Sequence, residues 1–96
     1  MFYKIKSITQ GGVPRTDGRY PLRVGCIGEP IVLETGAPMF FQYAKDADGN
    51  DKEGLLITSV VMDVSHEARR ITVTTLNSVY TLAVASDTAS DTASDT

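Results

Sequence analysis

The stretch ITVTTLNSVYTLAV, residues 71–84, decides the fold class of this chain. Two runs rich in β-branched residues, 71–76 and 79–84, lie on either side of the polar pair Asn77 and Ser78. β-Branched and aromatic residues favour strands, and a two-residue polar link between such runs is typical of a tight hairpin. The stretch therefore predicts a β-hairpin at the end of the folded part of the chain.

Similar short runs, separated by turn-forming residues, continue towards the N-terminus, at 2–8, 20–27, 31–35, 39–45 and 55–62. The polar segment 46–54 predicts the long tip of a hairpin between the last two of these runs. We expect 63–70 to form a loop with room for one helical turn, because Asp63 or Ser65 can cap a helix.

Five to six short, mostly antiparallel strands with short links predict a small all-β domain over residues 1–84, an SH3-like barrel or roll. Closure into a barrel suits a chain of this size, because a flat sheet would leave two exposed edges. The alternation of apolar residues along the runs indicates which side chains are buried. We expect the core to contain Ile5, Leu22, Val24, Ile31, Leu33, Phe41, Leu56, Val60, Ile71, Val73, Tyr80 and Leu82.

The last segment, residues 85–96, consists of three copies of Ala-Ser-Asp-Thr. Ser, Asp and Thr are poor residues for helix interiors, because their side chains compete for backbone hydrogen bonds. The alanine methyl groups bury too little surface to offset the entropy lost when the chain is ordered. This composition predicts a disordered C-terminal tail after the β domain.

Composition and charge limit the classes of function open to the chain. Of its 12 acidic residues, Asp87, Asp91 and Asp95 lie in the tail, so the others balance the 9 basic residues of the domain. A domain without net charge lacks the positive charge typical of nucleic-acid-binding proteins. The only cysteine, Cys26, cannot form an internal disulfide, and no apolar run is long enough for a membrane helix or signal peptide. We therefore expect a cytoplasmic protein with no membrane partner.

The residue types needed for catalysis or metal binding are sparse. The one histidine, His66, could act with Cys26, but that cysteine alternates with apolar residues, which is typical of a buried structural thiol. The segment 46–51 resembles the start of a calcium loop, yet Asp51 stands where such a loop needs glycine and Ile57 where it needs glutamate. The sequence therefore predicts a non-enzymatic protein with no cofactor and no metal site.

The favoured function is protein interaction with an unidentified partner. The run 39–45 has apolar residues on both faces, so one face is expected to be exposed and available to a partner. The predicted contact residues are Met39, Phe40 and Tyr43. Self-association into a homo-oligomer is also possible, because a thin core and open sheet edges favour it.

The alternative function is binding of single-stranded nucleic acid. Basic residues are concentrated in the first quarter of the chain, with tyrosines among them. Such a face can hold a strand through phosphate contacts and base stacking. The residues predicted for this function are Arg15, Arg19, Tyr20 and Arg23.

Four segments together carry a resemblance to a known group of proteins. They are Gly-Arg-Tyr-Pro-Leu-Arg at 18–23, Pro-Met-Phe-Phe-Gln-Tyr at 38–43, Leu-Leu-Ile-Thr-Ser-Val-Val at 55–61 and Thr-Leu-Asn-Ser-Val-Tyr-Thr-Leu at 75–82. Their order resembles that in short uncharacterised all-β proteins of Gram-positive gut bacteria and their mobile elements. The resemblance implies an origin in such a bacterium, and it implies no activity or functional site.

Overall fold

The computed structural model describes residues 1–85 of the chain. Its elements, in order, are β1 (Tyr3–Gln10), β2 (Val13–Pro14), α1 (Tyr20–Arg23), β3 (Ile27–Val32), β4 (Pro38–Lys45), β5 (Leu55–Glu67), β6 (Arg70–Thr75) and β7 (Val79–Val84). The prediction of a disordered tail falls on the repeats beyond Ala85, which lie outside the described residues. Over the described range, no helix is long and apolar enough to cross a membrane.

The strands form one antiparallel sheet, which confirms the predicted all-β class. The order of strands is β2-β1-β3-β4-β5-β6-β7, and β1 pairs with β7 as well as with β3. The pairing of β1 with β3 covers only Tyr3 and Lys4, whereas its pairing with β7 extends from Tyr3 to Thr9. Strand β1 therefore connects the two ends of the strand order.

The two hairpins predicted from the sequence are confirmed. Strands β6 and β7 pair in register from Arg70 opposite Ala83 to Thr74 opposite Val79. The turn between them includes Leu76 as well as Asn77 and Ser78, so it is longer than the predicted two-residue link. The Thr75 hydroxyl holds this turn, because it donates to the Ser78 carbonyl at 3.0 Å and accepts from the Ser78 amide at 3.1 Å. Strands β4 and β5 form the second hairpin, with Phe40 opposite Ile57.

The predicted strand over 20–27 is wrong, because α1 occupies its first half. Pro21 stands in the first turn of α1, where its ring fixes φ at a helical value and its missing N–H is not needed by a sheet. Gly25, at a φ of 94°, then turns the chain into β3. Leu22, predicted to lie in the core, is consequently 75% exposed.

The predicted loop over 63–70 is also wrong, because β5 continues to Glu67. Its second half pairs with β6, and a register shift between Val61 and Asp63 marks a bulge where this pairing begins. Most side chains after this bulge are exposed. The apolar alternation that identifies a half-buried strand is therefore lost over this half.

The buried apolar side chains are Ile5, Ile8, Cys26, Met39, Phe41, Leu56, Val61, Ile71, Val73, Tyr80 and Leu82. They include most of the predicted core and confirm that the Cys26 thiol is buried. Ile31 is instead 52% exposed, because it lies at a register shift of β3 and has no partner opposite it on β4. The predicted core residues Val24, Leu33 and Val60 are only half-buried.

Strands β3 and β4 come into close contact at Gly28. A methyl group on this residue would lie 2.7 Å from the Phe41 ring and closer still to the carbonyl oxygen of Gln42. We expect Gly28→Ala to lower the free energy of unfolding by about 3 kcal/mol, because the two strands must separate to admit the methyl group. Urea denaturation followed by circular dichroism measures this loss.

The matched control is Gly11→Asn. Gly11 has a φ of 60°, which asparagine tolerates, and no atom lies within contact distance of the position its Cβ would take. This variant is expected to keep its stability. A similar loss in both variants would contradict the close approach at Gly28.

Candidate functional site

Two arginines and two tyrosines meet where α1 packs on the sheet, and we call them the Arg–Tyr cluster: Arg15, Tyr20, Arg23 and Tyr80. The guanidinium carbons of Arg15 and Arg23 lie 4.1 Å and 4.8 Å from the centroid of the Tyr20 ring. Both distances are within the range of cation–π attraction. Arg23 also donates from Nη1 to the Tyr80 hydroxyl at 2.9 Å. These contacts tie α1 to β7.

Arg15 is committed to internal contacts. Its Nε and Nη2 atoms donate to the two carboxylate oxygens of Asp17 at 3.1 Å and 2.7 Å. Its Nη1 donates to the Asn77 carbonyl at 2.9 Å and to the Ser78 hydroxyl at 3.0 Å. The hydrogen bonds from Arg15 hold the pKa of Asp17 below its ordinary value. Arg15 thus fastens the segment before α1 to the turn between β6 and β7.

Burial perturbs the titration of three side chains near α1. Desolvation raises the pKa of Tyr80 above its ordinary value of 10.0, and it does the same for Tyr43. It also raises the pKa of the Cys26 thiol above 9.0. The thiol lies 3.4 Å from the Leu22 carbonyl, to which it donates. Burial therefore disfavours the deprotonated form of each of these groups.

A groove of about 360 Å³ lies between α1 and the start of β5, and we call it the β5 groove. Three of its lining residues are cationic and five are apolar or aromatic: Arg19, Arg23 and Lys52, with Leu22, Tyr43, Leu55, Leu56 and Ile57. No lining residue is acidic. The groove therefore combines positive charge with apolar surface.

The β5 groove runs along one edge of β5. It touches the consecutive residues Leu55, Leu56 and Ile57, whose side chains alternate between the two faces of the sheet. A groove that reaches both faces must pass beside the strand. Since β4 occupies one side of this part of β5 and α1 forms the facing wall, we infer that the groove follows the other side, with Tyr43 of β4 at its border.

The main-chain groups on that side lack a strand partner. The Tyr43 amide donates to the Gly54 carbonyl at 3.0 Å, so these two residues form a hydrogen-bonded pair. Hydrogen-bonded and non-hydrogen-bonded pairs alternate in an antiparallel ladder, so the next pair, with Leu55, is not hydrogen-bonded, the pair with Leu56 is, and the pair with Ile57 is not. The N–H and C=O groups of Leu55 and Ile57 therefore point away from β4. Strand β6 pairs with β5 only from Val61 onwards. Among residues 1–85, no strand pairs with this free edge of β5.

The structure separates the three residues predicted for protein contact. Met39 is fully buried in the core, so a partner cannot reach it, and its inclusion among the contact residues is corrected. Phe40 is half-buried on the outer face, opposite Ile57. Tyr43 lines the β5 groove, with Lys52 Nζ 4.9 Å from the centroid of its ring.

Three of the four residues predicted for nucleic-acid binding come together, because Arg23 belongs to the Arg–Tyr cluster as well as to the lining of the β5 groove. Arg15 and Tyr20 belong to the Arg–Tyr cluster, and Arg15 uses its donors inside the protein. Arg19 and Arg23 line the β5 groove. Sequence reasoning missed Lys52 and Leu55, because only the fold shows that they face α1.

A larger depression of about 490 Å³ lies over the turn between β5 and β6. Two of its charged residues, Glu67 and Arg70, already pair with each other at 3.2 Å. It also includes no aromatic side chain. We therefore take the β5 groove as the candidate site.

The other motifs have structural roles or form no site. In the segment 46–51, Asp46 Oδ1 accepts hydrogen bonds from the amides of Asp48 and Asn50 at 2.9 Å and 3.0 Å, as in an Asx turn. His66 is exposed on β5. In residues 1–85, no three His, Cys, Asp or Glu side chains are grouped so that they could hold a metal ion.

Comparisons with known proteins identify no relative. A scan against family models, a search of curated proteins and a search of solved structures each found no match for this chain. The resemblance to proteins of gut bacteria therefore stays a prediction, and the candidate site depends on its geometry alone.

We expect Tyr80→Phe to lower the free energy of unfolding by about 1 kcal/mol at pH 7, because Arg23 loses a hydrogen-bond acceptor. The Tyr80 pKa is raised in the folded state, so the folded form retains its proton longer as the pH rises. The wild-type protein should therefore lose stability above about pH 10, and the variant should lose less. Urea denaturation at pH 7 and from pH 9 to 11 measures both effects. An unchanged alkaline loss in Tyr80→Phe would contradict this assignment.

Amide hydrogen exchange tests the free edge of β5 directly. The Leu56 amide faces β4, whereas those of Leu55 and Ile57 face the β5 groove. We expect the Leu56 amide to exchange at least about a hundredfold more slowly than the other two. Residue-resolved exchange measured by NMR gives the comparison. Equal protection of the three amides would mean that something covers the edge.

Proposed function

We propose that this protein is a non-enzymatic protein-interaction module that binds an extended partner segment along the free edge of β5. One observation carries the proposal. The main-chain groups of Leu55 and Ile57 point into the β5 groove, and no strand within residues 1–85 pairs with them. Unpaired strand edges act as templates for a further strand, and many small β domains bind peptides in this way.

Exposed apolar side chains beside the edge add to this support. Leu55 is 44% exposed and Ile57 is 55% exposed, with the exposed Leu22 on the opposite wall. A bound strand would cover these side chains, and each Å² of apolar surface removed from water contributes about 25 cal/mol. Main-chain pairing would provide the geometry, and apolar burial would provide much of the affinity.

We also propose that the sheet closes into a small SH3-like barrel. The pairing of β1 with both β3 and β7 supports closure. The division of β5 supports it as well, because the first half pairs with β4 and the second with β6. In such a barrel the free edge of β5 is a gap between two parts of the sheet. A partner strand would fill this gap.

Binding of single-stranded nucleic acid is the weaker alternative. Nucleotide stacking needs an aromatic face that is free. The Tyr20 ring has two guanidinium groups over it, and the Tyr43 ring has Lys52 over it and the Phe41 ring edge-on at 5.9 Å. We therefore favour a protein partner and treat nucleic acid as an outcome of the test below.

The test uses the full chain and a displayed library of random octapeptides. Peptides selected on the wild-type protein are then titrated by calorimetry into Ile57→Pro and Ile57→Thr. Proline removes the N–H that faces the groove without removing a bond to β4, whereas threonine keeps that N–H. We expect Ile57→Pro to weaken binding by about tenfold or more and Ile57→Thr by about twofold or less.

Two controls keep the test decisive. Circular dichroism confirms that each variant is folded, and Leu55→Pro, at the start of β5 on the same edge, replaces Ile57→Pro if the latter unfolds. Equal binding to the proline and threonine variants would refute strand addition. Failure to select any peptide, together with salt-sensitive binding of a mixed-sequence single-stranded oligonucleotide, would favour the nucleic-acid alternative.

A further inference from the structure

We infer that the partner segment carries carboxylates at alternate positions, with apolar side chains between them. This inference rests on the proposed function, because it names the chemistry of the partner at the same groove. Two features of the β5 groove carry it: unmatched positive charge and exposed apolar side chains.

The positive charge in the groove is largely unpaired. Within the described range, Arg19 and Lys52 form no ion pair, and neither side chain donates a hydrogen bond. Arg23 uses only Nη1, in its bond to Tyr80, and its other donors remain available. Since no lining residue is acidic, the groove is electrostatically complementary to an anionic segment.

Two acidic residues lie just outside the groove. An adjoining hollow behind α1 is lined by Asp46 and Asp48, and it shares Leu22 and Lys52 with the β5 groove. Neither carboxylate lines the β5 groove itself, where Arg19, Arg23 and Lys52 lie.

The alternation follows from the geometry of an added strand. Successive side chains of such a strand point to opposite faces of the sheet. On one face they meet Leu55 and Ile57, where apolar side chains pack well. On the other they meet the face of Leu56, where Arg23 reaches in to the buried Tyr80. Carboxylates at these intervening positions can pair with the cations.

The test compares two synthetic octapeptides, one with alternating Val and Asp and one with alternating Val and Asn. The two peptides share shape and strand propensity and differ in charge. Titration of the full chain, followed by amide NMR, measures both affinities at low and moderate salt. We expect the Asp peptide to bind about tenfold more tightly at low salt, and the ratio to shrink as salt screens the charges.

Charge reversal in the protein provides a second test of the acidic partner. We expect the double variant Arg19→Glu with Lys52→Glu to lose its preference for the Asp peptide and to bind an alternating Val and Lys octapeptide instead. Lys4→Glu with Lys6→Glu is the matched control, since it changes the net charge by the same amount and both lysines are exposed on β1 outside the groove. This control should keep the wild-type preference.

The outcomes separate this inference from the proposed function. Equal affinity for the Asp and Asn peptides, with both lost in Ile57→Pro, would overturn the acidic partner and leave strand addition standing. Absence of binding by either peptide would overturn the inference. The inference would also be overturned if an uncharged peptide from the displayed library bound more tightly than the Asp peptide and displaced it. Displacement of the Asp peptide by a mixed-sequence oligonucleotide would overturn it as well.

Discussion

Strand β5 is divided between two neighbours, and the rest of the structure depends on this division. Its first half pairs with β4 and its second half with β6, with a bulge where the change occurs. The β4–β5 and β6–β7 hairpins are joined through this strand. The same division leaves the groove side of the first half without a strand partner within residues 1–85, because β6 begins to pair only at Val61. The connection that completes the sheet therefore also creates its free edge.

The Arg–Tyr cluster explains why this edge lies beside a basic wall. Arg15 fixes the segment before α1 to the β6–β7 turn, and Arg23 fixes α1 to Tyr80. With α1 held in this way, Arg19 and Leu22 are carried to the groove. The basic residues of the first quarter of the chain thus have two roles. Some hold the helix in place, and the others line the groove that the helix forms with β5.

The alternation of apolar residues along the chain predicted the hairpins well and the regions that connect them poorly. The β6–β7 hairpin could be predicted, because its alternation and its turn agree with its burial. The second half of β5 could not, since a strand exposed on both faces carries no apolar period. Charge and residue type indicated Arg19, Arg23 and Tyr43, but only tertiary contacts show that Arg15 is used internally. The free edge depends on which strand ends where, and a periodic pattern does not contain that information.

The predicted strand over 20–27 is wrong, and the helix α1 that replaces its first half forms one wall of the candidate site. Tyr20, Leu22, Val24 and Cys26 alternate as they would on a strand, yet Pro21 and Gly25 impose a helical turn. A strand at this place could have paired with β5 and satisfied Leu55 and Ile57. A single helical turn cannot, because its main-chain groups point along its own axis. The residues that break the alternation therefore leave this edge of β5 without a strand partner within residues 1–85.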